Sequence, residues 1–596
     1  MTLWRNRGLP SRPADFRCKC APQYPYNEEP VSPELSVPQY GIRVERDISV
    51  RVSDGWSVSL DVYRPDAEGT FPALFAMSSY TKELQGTDSP SLCNEAGDIE
   101  YFVSRGYIHV IADSRGSGHT GGTFEMFGER EIDDGYDIIE WITAQPWCNG
   151  NVGMIGMSYF AVVQLLIAKK NPPHLKCIFA YDPINDLYRD CCYHGGKMNI
   201  FNFLMAYFWI ADHIVFSRDE SGRRNRMSWW SFMKMALDFI LQQHKFDDEW
   251  MRERSAFWRE GKIRIPTYIG SGWEYSVGLH LRGIFDVFRE AQGPKKMLVG
   301  PPHVPFRPYS SWRLESLRWY DHWLKGKDTG IDRDPPVNIW VMGKNTWRSE
   351  NEWPIERTRP INLFLRPVEG SSCKGRLNPE PPEKDEKPLS YLSWPLSLGQ
   401  LGYAQLVYKT PILRAEVEVT GHIVLALYAS CTARDTSFFV RFCDEDDTGR
   451  HRVLTRGWLK ASHREIDEKL SLPHRPFHPH RREEKLSPGE VYEFLIEIWP
   501  TSNVFMIGHR IRLEILCAES IYFDFPYAHF PSPNIGMVKV MSSPEYPSRL
   551  VLPTLDSQLR LDNSESNLLF SDEPTSYFSI RGRRKRYGPG TEFIVR

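Results

Sequence analysis

The sequence predicts an α/β domain on a mostly parallel sheet, interrupted by a helical insertion and followed by a β-sandwich. Three observations carry this. Short apolar runs alternate with helical segments over residues 45–185 and again over 262–334. Residues 186–261 are rich in Trp, Phe and Met, with few strand-like runs. Beyond Pro335-Pro336, short strand-like runs at 338–342, 423–430, 438–442 and 510–516 are separated by Pro, Gly and Asp clusters, the texture of a sandwich over 335–555. Residues 1–44 form a Pro- and Arg-rich arm, and 556–596 a polar tail.

Each element has a local cause. Ile108-His-Val-Ile-Ala-Asp113 is a short apolar run ending in a polar loop, and Val152-Gly-Met-Ile-Gly156 is another. Residues 133–145 place Ile138, Ile139 and Trp141-Ile142 on one side of a helix, and 161–170 read as a second helix. The insertion contains a helix over 228–244, so it reads as all-helical. Alternation resumes at Ile263 and ends in a helix over 311–325, while 379–388 is a Pro/Glu/Lys loop. No internal repeat is present.

Composition excludes several classes. Of 596 residues, 41% are hydrophobic and 25% charged, as in a folded globular protein. The formal net charge is −3, without the basic excess of a nucleic-acid binder. The one dense basic run, Arg581-Gly-Arg-Arg-Lys-Arg586, reads as a solvated tail. Eleven cysteines, including Cys18-x-Cys20 and the adjacent Cys191 and Cys192, match neither a disulfide framework nor a zinc spacing. No apolar h-region opens the chain and no window is apolar enough to span a bilayer, so a cytoplasmic location without membrane or nucleic-acid partners is expected. Self-association into a homo-oligomer stays open.

The sharpest chemical signal is Gly156-Met-Ser-Tyr-Phe160, between an apolar strand and a helix. A serine on such a turn is pushed above the sheet, with the helix N-terminus facing any oxyanion formed there. Phe160 stands where the G-x-S-x-G pattern has its last glycine, with Ala161 next. Serine needs a base. Lys296-Met-Leu-Val-Gly-Pro-Pro-His303 is a strand ending in a tight turn, which places His303 in a loop at the sheet edge. Ser158 and His303 occupy the outer places of the order Ser, acid, His found in α/β-hydrolases.

The runs Asp113-Ser-Arg-Gly-Ser-Gly118, Gly121-Gly-Thr-Phe124, Asp133-Asp-Gly-Tyr136, Gln145-Pro-Trp147 and Gly156-Met-Ser-Tyr159 resemble the cocaine esterase and Xaa-Pro dipeptidyl-peptidase family. The likeness continues through Arg318-Trp-Tyr-Asp-His-Trp-Leu-Lys-Gly326, Arg456-Gly-Trp-Leu-Lys-Ala-Ser-His463, Trp499-Pro-Thr-Ser502 and Gly508-His-Arg-Ile-Arg512, covering roughly residues 45–555. It implies an α/β-hydrolase domain with an inserted helical cap and a C-terminal jelly-roll β-domain. It also implies that Ser158 is the nucleophile, His303 the base, and the Tyr80 hydroxyl with the Tyr159 N–H the oxyanion hole. No cofactor or metal is implied.

The acid is where the chain departs from this pattern. The family carries Gly-Trp-Tyr-Asp or a close variant before the histidine, whereas this chain reads Gly270-Ser-Gly-Trp-Glu-Tyr-Ser276. An ungapped match puts Tyr275 at the aspartate. Glu274, one place away, is the expected acid, with Asp286 further along, a source elsewhere, or the absence of an acid as the alternatives. Trp209, Trp229, Trp230 and Trp273 are candidates for an aromatic substrate pocket, against the simpler reading of core packing. His474, His478, His480 and His509 raise a metal site, set aside because the resemblance makes 478–480 a sandwich loop, and Asp444-Glu-Asp-Asp447 reads as an acidic β-turn rather than a calcium site. The expected function is a serine hydrolase cleaving an ester, lactone or amide of a small molecule through an acyl-enzyme. Esters are favoured over X-Pro peptides, since the chain shows neither the extra N-terminal domain of the long peptidases nor an acidic cluster for a substrate amine. Acyl transfer or cyclisation on the same scaffold, and a catalytically weak binding protein, are the alternatives.

Overall fold

The computed structural model describes residues 35–86, 95–201, 230, 233–235, 237–238, 241–274, 277–302, 309–394, 405–519, 524, 528–530, 533–555 and 559–562. The first part is a mixed sheet of β1 (Ile42–Arg51), β2 (Ser57–Pro65), β3 (Phe71–Ser78), β4 (Ile108–Asp113), β5 (Cys148–Met157) and β6 (Leu175–Tyr181). A short hairpin, β7 (Tyr193–His194) and β8 (Lys197–Met198), stands apart before β9 (Thr267–Gly272), β10 (Lys295–Gly300), β11 (Val337–Val341) and β12 (Thr346–Glu350). The strand order is β1-β2-β4-β3-β5-β6-β9-β10-β11-β12. From β4 to β11 every pairing is parallel. The outer pairs β1–β2, β2–β4 and β11–β12 are antiparallel.

The parallel strands read as continuous apolar runs because both faces are covered; β4 and β9 are buried at every residue. The helices Glu129–Thr143 and Tyr159–Lys169 pack together where Gly135 has no Cβ to meet Ile167. The helices Ile99–Val103 and Tyr309–Lys325 meet through Phe102 and Tyr320, whose rings are 5.7 Å apart edge-to-face. The Tyr320 hydroxyl donates to the Met154 carbonyl at 2.9 Å and ties that helix to β5.

Two sequence expectations are corrected here. The run 338–342, read as the opening of the sandwich, instead extends the α/β sheet: Met297 pairs with Val337 and Val299 with Ile339. A short apolar strand carries no label for which sheet it joins. The insertion is not wholly helical either. Residues 187–192 form a π-helical turn, and β7–β8 is a hairpin around Gly195-Gly196, both at positive φ (53° and 80°) as its two-residue turn demands. A Cβ at Gly195 would collide with the Trp458 carbonyl, and the Gly195 carbonyl accepts from the Lys460 N–H at 2.8 Å. The hairpin is thus pinned to the β-domain. Of the expected 228–244 helix, the described residues 230, 233–235 and 237–238 are helical, whereas 241–244 form a turn with Gln242 at φ 51°.

The C-terminal part is all β, and its hydrogen bonding runs in one closed circuit rather than as two separate sheets. Val417–Cys431 pairs with Val491–Phe505 on one side and with Arg549–Leu555 on the other, which closes the ring. Met342 joins the two parts: its N–H donates to the Ser502 carbonyl at 3.0 Å, and its carbonyl accepts from the Val504 N–H at 2.9 Å. Among the described residues no helix is long and apolar enough to cross a membrane.

Candidate active site

Six parallel strands, β3, β4, β5, β6, β9 and β10, end at one sheet edge, where α/β folds place their ligands. Ser158 follows β5 and precedes the helix Tyr159–Lys169. Its backbone is strained at φ 54°, ψ −118°, the sharp turn expected from the sequence. The side chain is half-buried and its N–H donates to the Tyr181 carbonyl at 3.0 Å, while its carbonyl accepts from Ala161 and Val162 N–H at 3.0 Å each. Gly156 sits at φ 136°, and a side chain there would collide with Phe160. Phe160 is buried at the place where the motif departs from its last glycine, so the elbow stays tight through Gly156.

Tyr80 lies two residues beyond β3, the strand on one side of β5. Its ring is 5.7 Å from that of Tyr159 and 6.4 Å from that of Phe160. The loop is held from several sides. The Ser78 hydroxyl accepts from the Tyr80 N–H at 3.0 Å and donates to the Tyr80 carbonyl at 3.1 Å. Asp113 accepts the Lys82 N–H at 2.8 Å with one oxygen and the His119 N–H at 2.8 Å with the other. The buried Lys82 ammonium then pairs with Asp47 at 2.6 Å, Asp61 at 2.9 Å and Glu83 at 3.0 Å. This explains the Asp113–Gly118 motif: Asp113 staples the Tyr80 loop, and Gly118 leaves room for its carboxyl.

The Tyr159 side chain turns down into the core. Its hydroxyl donates to Glu131 at 2.9 and 3.0 Å, and the same carboxyl accepts from the Phe127 N–H at 2.7 Å and from the Ser114 hydroxyl. Burial pushes Glu131 up to about 7 despite these donors, which pull the other way. The folded state therefore holds a proton that the unfolded chain releases near pH 4.5. The stability contributed is full below that pH and is lost as pH rises through about 7. Glu131→Gln, measured by urea unfolding between pH 5 and 8, is expected to flatten a slope worth roughly 3 kcal/mol.

The remaining expected residues fall in different places. His303, Trp209 and Trp229 lie outside the described residues. Trp230 is 72% exposed on the insertion. Trp273 is buried, donates its indole N–H to the Trp340 carbonyl at 2.7 Å and packs near Phe285, which makes it a core residue. Glu274 follows β9 at φ 48° with its carboxylate ion-paired to Arg452 of the β-domain; burial pushes it up to about 7 against the pull of Arg452. Asp286 is engaged by Arg475 and held well below its ordinary range by that guanidinium, against the effect of its burial.

The loop histidines are spread out. His478 has its ring nitrogens 2.9 and 2.8 Å from the Glu465 and Leu495 carbonyls, His480 meets His463 at 3.1 Å, and His509 meets Asp444 at 2.8 Å. Asp446 accepts from the Thr448 and Arg450 N–H groups, closing a turn. The one metal-like grouping among the described residues, Asp47, Glu83 and His119, lies against the Lys82 ammonium, which already pairs with both of its carboxylates. Sequence reasoning passed over Asp182, a buried carboxylate at the tip of β6; the signal available was an acid directly after the apolar run 175–181.

Comparison with known proteins agrees with this architecture. Residues 54–304 match the model of the X-Pro dipeptidyl-peptidase (S15 family), and residues 329–551 match the X-Pro dipeptidyl-peptidase C-terminal non-catalytic domain. Cocaine esterase of Rhodococcus sp. (strain MB1 Bresler) is 27% identical over 593 residues, covering 86% of this chain and 98% of the esterase. The Xaa-Pro dipeptidyl-peptidase of Lactobacillus helveticus is 29% identical over 291 residues, 43% of this chain and 35% of that protein. A CocE/NonD family hydrolase from Staphylococcus aureus shares the fold with a TM-score of 0.74 at 25% identity, over 88% of this chain and 96% of that one. With its strained serine elbow on a hydrolase sheet and a closed β-domain behind it, the chain belongs to the S15 family of serine hydrolases, alongside cocaine esterase and the X-Pro dipeptidyl-peptidases.

Proposed function

We propose that this protein is a carboxylic ester hydrolase acting through an acyl-enzyme on a small organic substrate. The observation that carries the reading is Ser158: a half-buried hydroxyl on a strained turn, at the start of a helix and beside the Tyr80 loop. Ser158 attacks the ester carbonyl as an imidazole, assigned to His303, takes its proton. The oxyanion is met by the Tyr159 N–H, among the first helical N–H groups without an i−4 partner, and by the Tyr80 hydroxyl. The imidazolium then protonates the leaving alcohol, and water resolves the acyl-enzyme by the reverse transfer.

An ester is favoured over an X-Pro peptide by the degree of the likeness. Cocaine esterase is 27% identical over 86% of this chain, while the putative Xaa-Pro dipeptidyl-peptidase of Bacillus anthracis is 20% identical over 79%.

The test is a pre-steady-state burst with p-nitrophenyl acetate and butyrate, run beside an Ala-Pro p-nitroanilide and with product analysis in added alcohol. Ester turnover with little anilide cleavage supports the reading. A larger kcat/KM on the anilide overturns the substrate class, and an alkyl ester as main product turns hydrolysis into transfer. Tyr80→Phe keeps the ring and removes one donor. It is expected to lower kcat by ~10²–10³ with little change in KM, because the donor acts on charge present only in the transition state.

A further inference from the structure

The strand arrangement brings a second buried carboxylate to the sheet edge that carries Ser158. Asp182 follows β6 directly, and β6 is the neighbour of the nucleophile strand: Met157 is paired with Tyr181, and the Tyr181 carbonyl accepts the Ser158 N–H at 3.0 Å. Asp182 thus starts one residue from the group that holds the backbone of the nucleophile. Its main chain turns left-handed at φ 51°, where a non-glycine residue is strained, and its N–H donates to the Gly270 carbonyl of β9 at 2.7 Å. The Ser271 hydroxyl donates to Asp182 Oδ1 at 2.6 Å.

These contacts lean the carboxylate over the tip of β9, on the side of β6 away from Ser158. The next strand in the sheet is β10, and the sequence places His303 three residues after its last residue, Gly300. A triad acid and its serine have to lie within reach of one imidazole. Asp182 and Ser158 meet that need from the ends of the neighbouring strands β6 and β5. Glu274, by contrast, leaves β9 toward Arg452 on the strand His451–Lys460.

We propose that Asp182 is the carboxylate that orients the catalytic imidazole, and that Glu274 anchors Arg452 between the hydrolase and β-domains. The inference rests on the reading of Ser158 as nucleophile. Asp182 is a positioning residue: it accepts the imidazole N–H and stays ionised while the proton moves from serine to imidazole to leaving group. The buried neighbour Glu95, whose carbonyl accepts the Met157 N–H at 3.1 Å, is consistent with this. Burial first, and then the negative charge of Asp182, push Glu95 well above its ordinary range.

The test uses the full chain as wild type, Asp182→Asn, Asp182→Glu, Ser271→Ala and Glu274→Gln, with fluorophosphonate labelling and p-nitrophenyl acetate kinetics across pH. Asp182→Asn is expected to lower kcat by ~10³–10⁴ at little cost in KM. It should also move the acid limb of kcat/KM down by about one pH unit, since the imidazolium loses its neighbouring anion. Asp182→Glu should recover part of the rate, and Glu274→Gln should lose far less than Asp182→Asn. If Asp182→Asn does not fold, Ser271→Ala decides, with an expected loss of roughly tenfold in kcat at little cost in KM, as for one lost supporting hydrogen bond. An unchanged kcat in that variant, or a larger loss in Glu274→Gln, overturns the proposal while wild-type labelling at Ser158 leaves the hydrolase reading standing. Wild type that neither labels nor bursts overturns both.

Discussion

Ser158→Ala is expected to abolish both the p-nitrophenyl burst and fluorophosphonate labelling, with turnover falling by ~10⁴ or more. The loss is that large because every later step depends on the covalent bond to Oγ, and the donors around it have nothing to stabilise without the attack. Ser158→Gly adds a second readout. At φ 54° and ψ −118° a serine stores strain that glycine does not. The glycine variant should be equally inactive yet more stable than the alanine variant, by about 1 kcal/mol in denaturant unfolding. Equal stability of the two would mean that the turn relaxes in solution, and with it the argument for an elbow built to present a nucleophile.

Arg475→Met is expected to cost about 3–5 kcal/mol of stability, the usual effect of stranding a buried charge. Arg475, in a loop of the β-domain, pairs with Asp286 on the helix Leu281–Glu290 and with Glu497 at 3.0 Å. Glu497 also meets Arg282 at 3.0 Å, and Arg282 meets Asp190 of the insertion at 3.1 Å. One buried network therefore ties the hydrolase helix, the insertion and the β-domain together. The sign with pH follows from Asp286, which Arg475 holds below its ordinary range. Its contribution is present above that range and is lost on acidification through the depressed value. Arg475→Met should be less stable at neutral pH and show a shallower acid slope. The double variant with Asp286→Asn should recover part of the loss, because the stranded carboxylate is then removed. If the double variant is simply the sum of the singles, the pair is not coupled and the network does not join the domains energetically.

Both results turn on features that differ in how visible they are from the sequence. The serine elbow is local: Gly156 supplies the positive φ, Ser158 follows one strand and starts one helix, and all of this lies within a dozen residues. The Arg475 network is not local. Its members are spread from Asp190 to Glu497, and each by itself is an ordinary charged residue in a helix, turn or strand. The same contrast separates Tyr80, found by a motif, from Asp113 and Lys82, whose role in holding that loop comes from contacts across 31 positions.

Where expectation and structure part, the reason is the same. Residues 338–342 have a strand's composition, but only the pairing of Val337 with Met297 assigns them to the α/β sheet. Gly195-Gly196 was a hairpin signal inside a stretch dominated by aromatic residues, and Trp273 looked like a pocket wall until its indole N–H was seen on the Trp340 carbonyl.

By itself, then, the sequence determined the alternating hydrolase domain, the all-β partner and the serine elbow. These follow from hydrophobic period and from backbone conformations that a few neighbouring residues impose. Only the tertiary structure decided which carboxylates share the edge with Ser158. The strand order β5-β6-β9-β10 brings Asp182 to Ser271 and turns Glu274 toward Arg452. Strand order is a property of the packed sheet, set by which buried faces fit together, and no local run of residues encodes it.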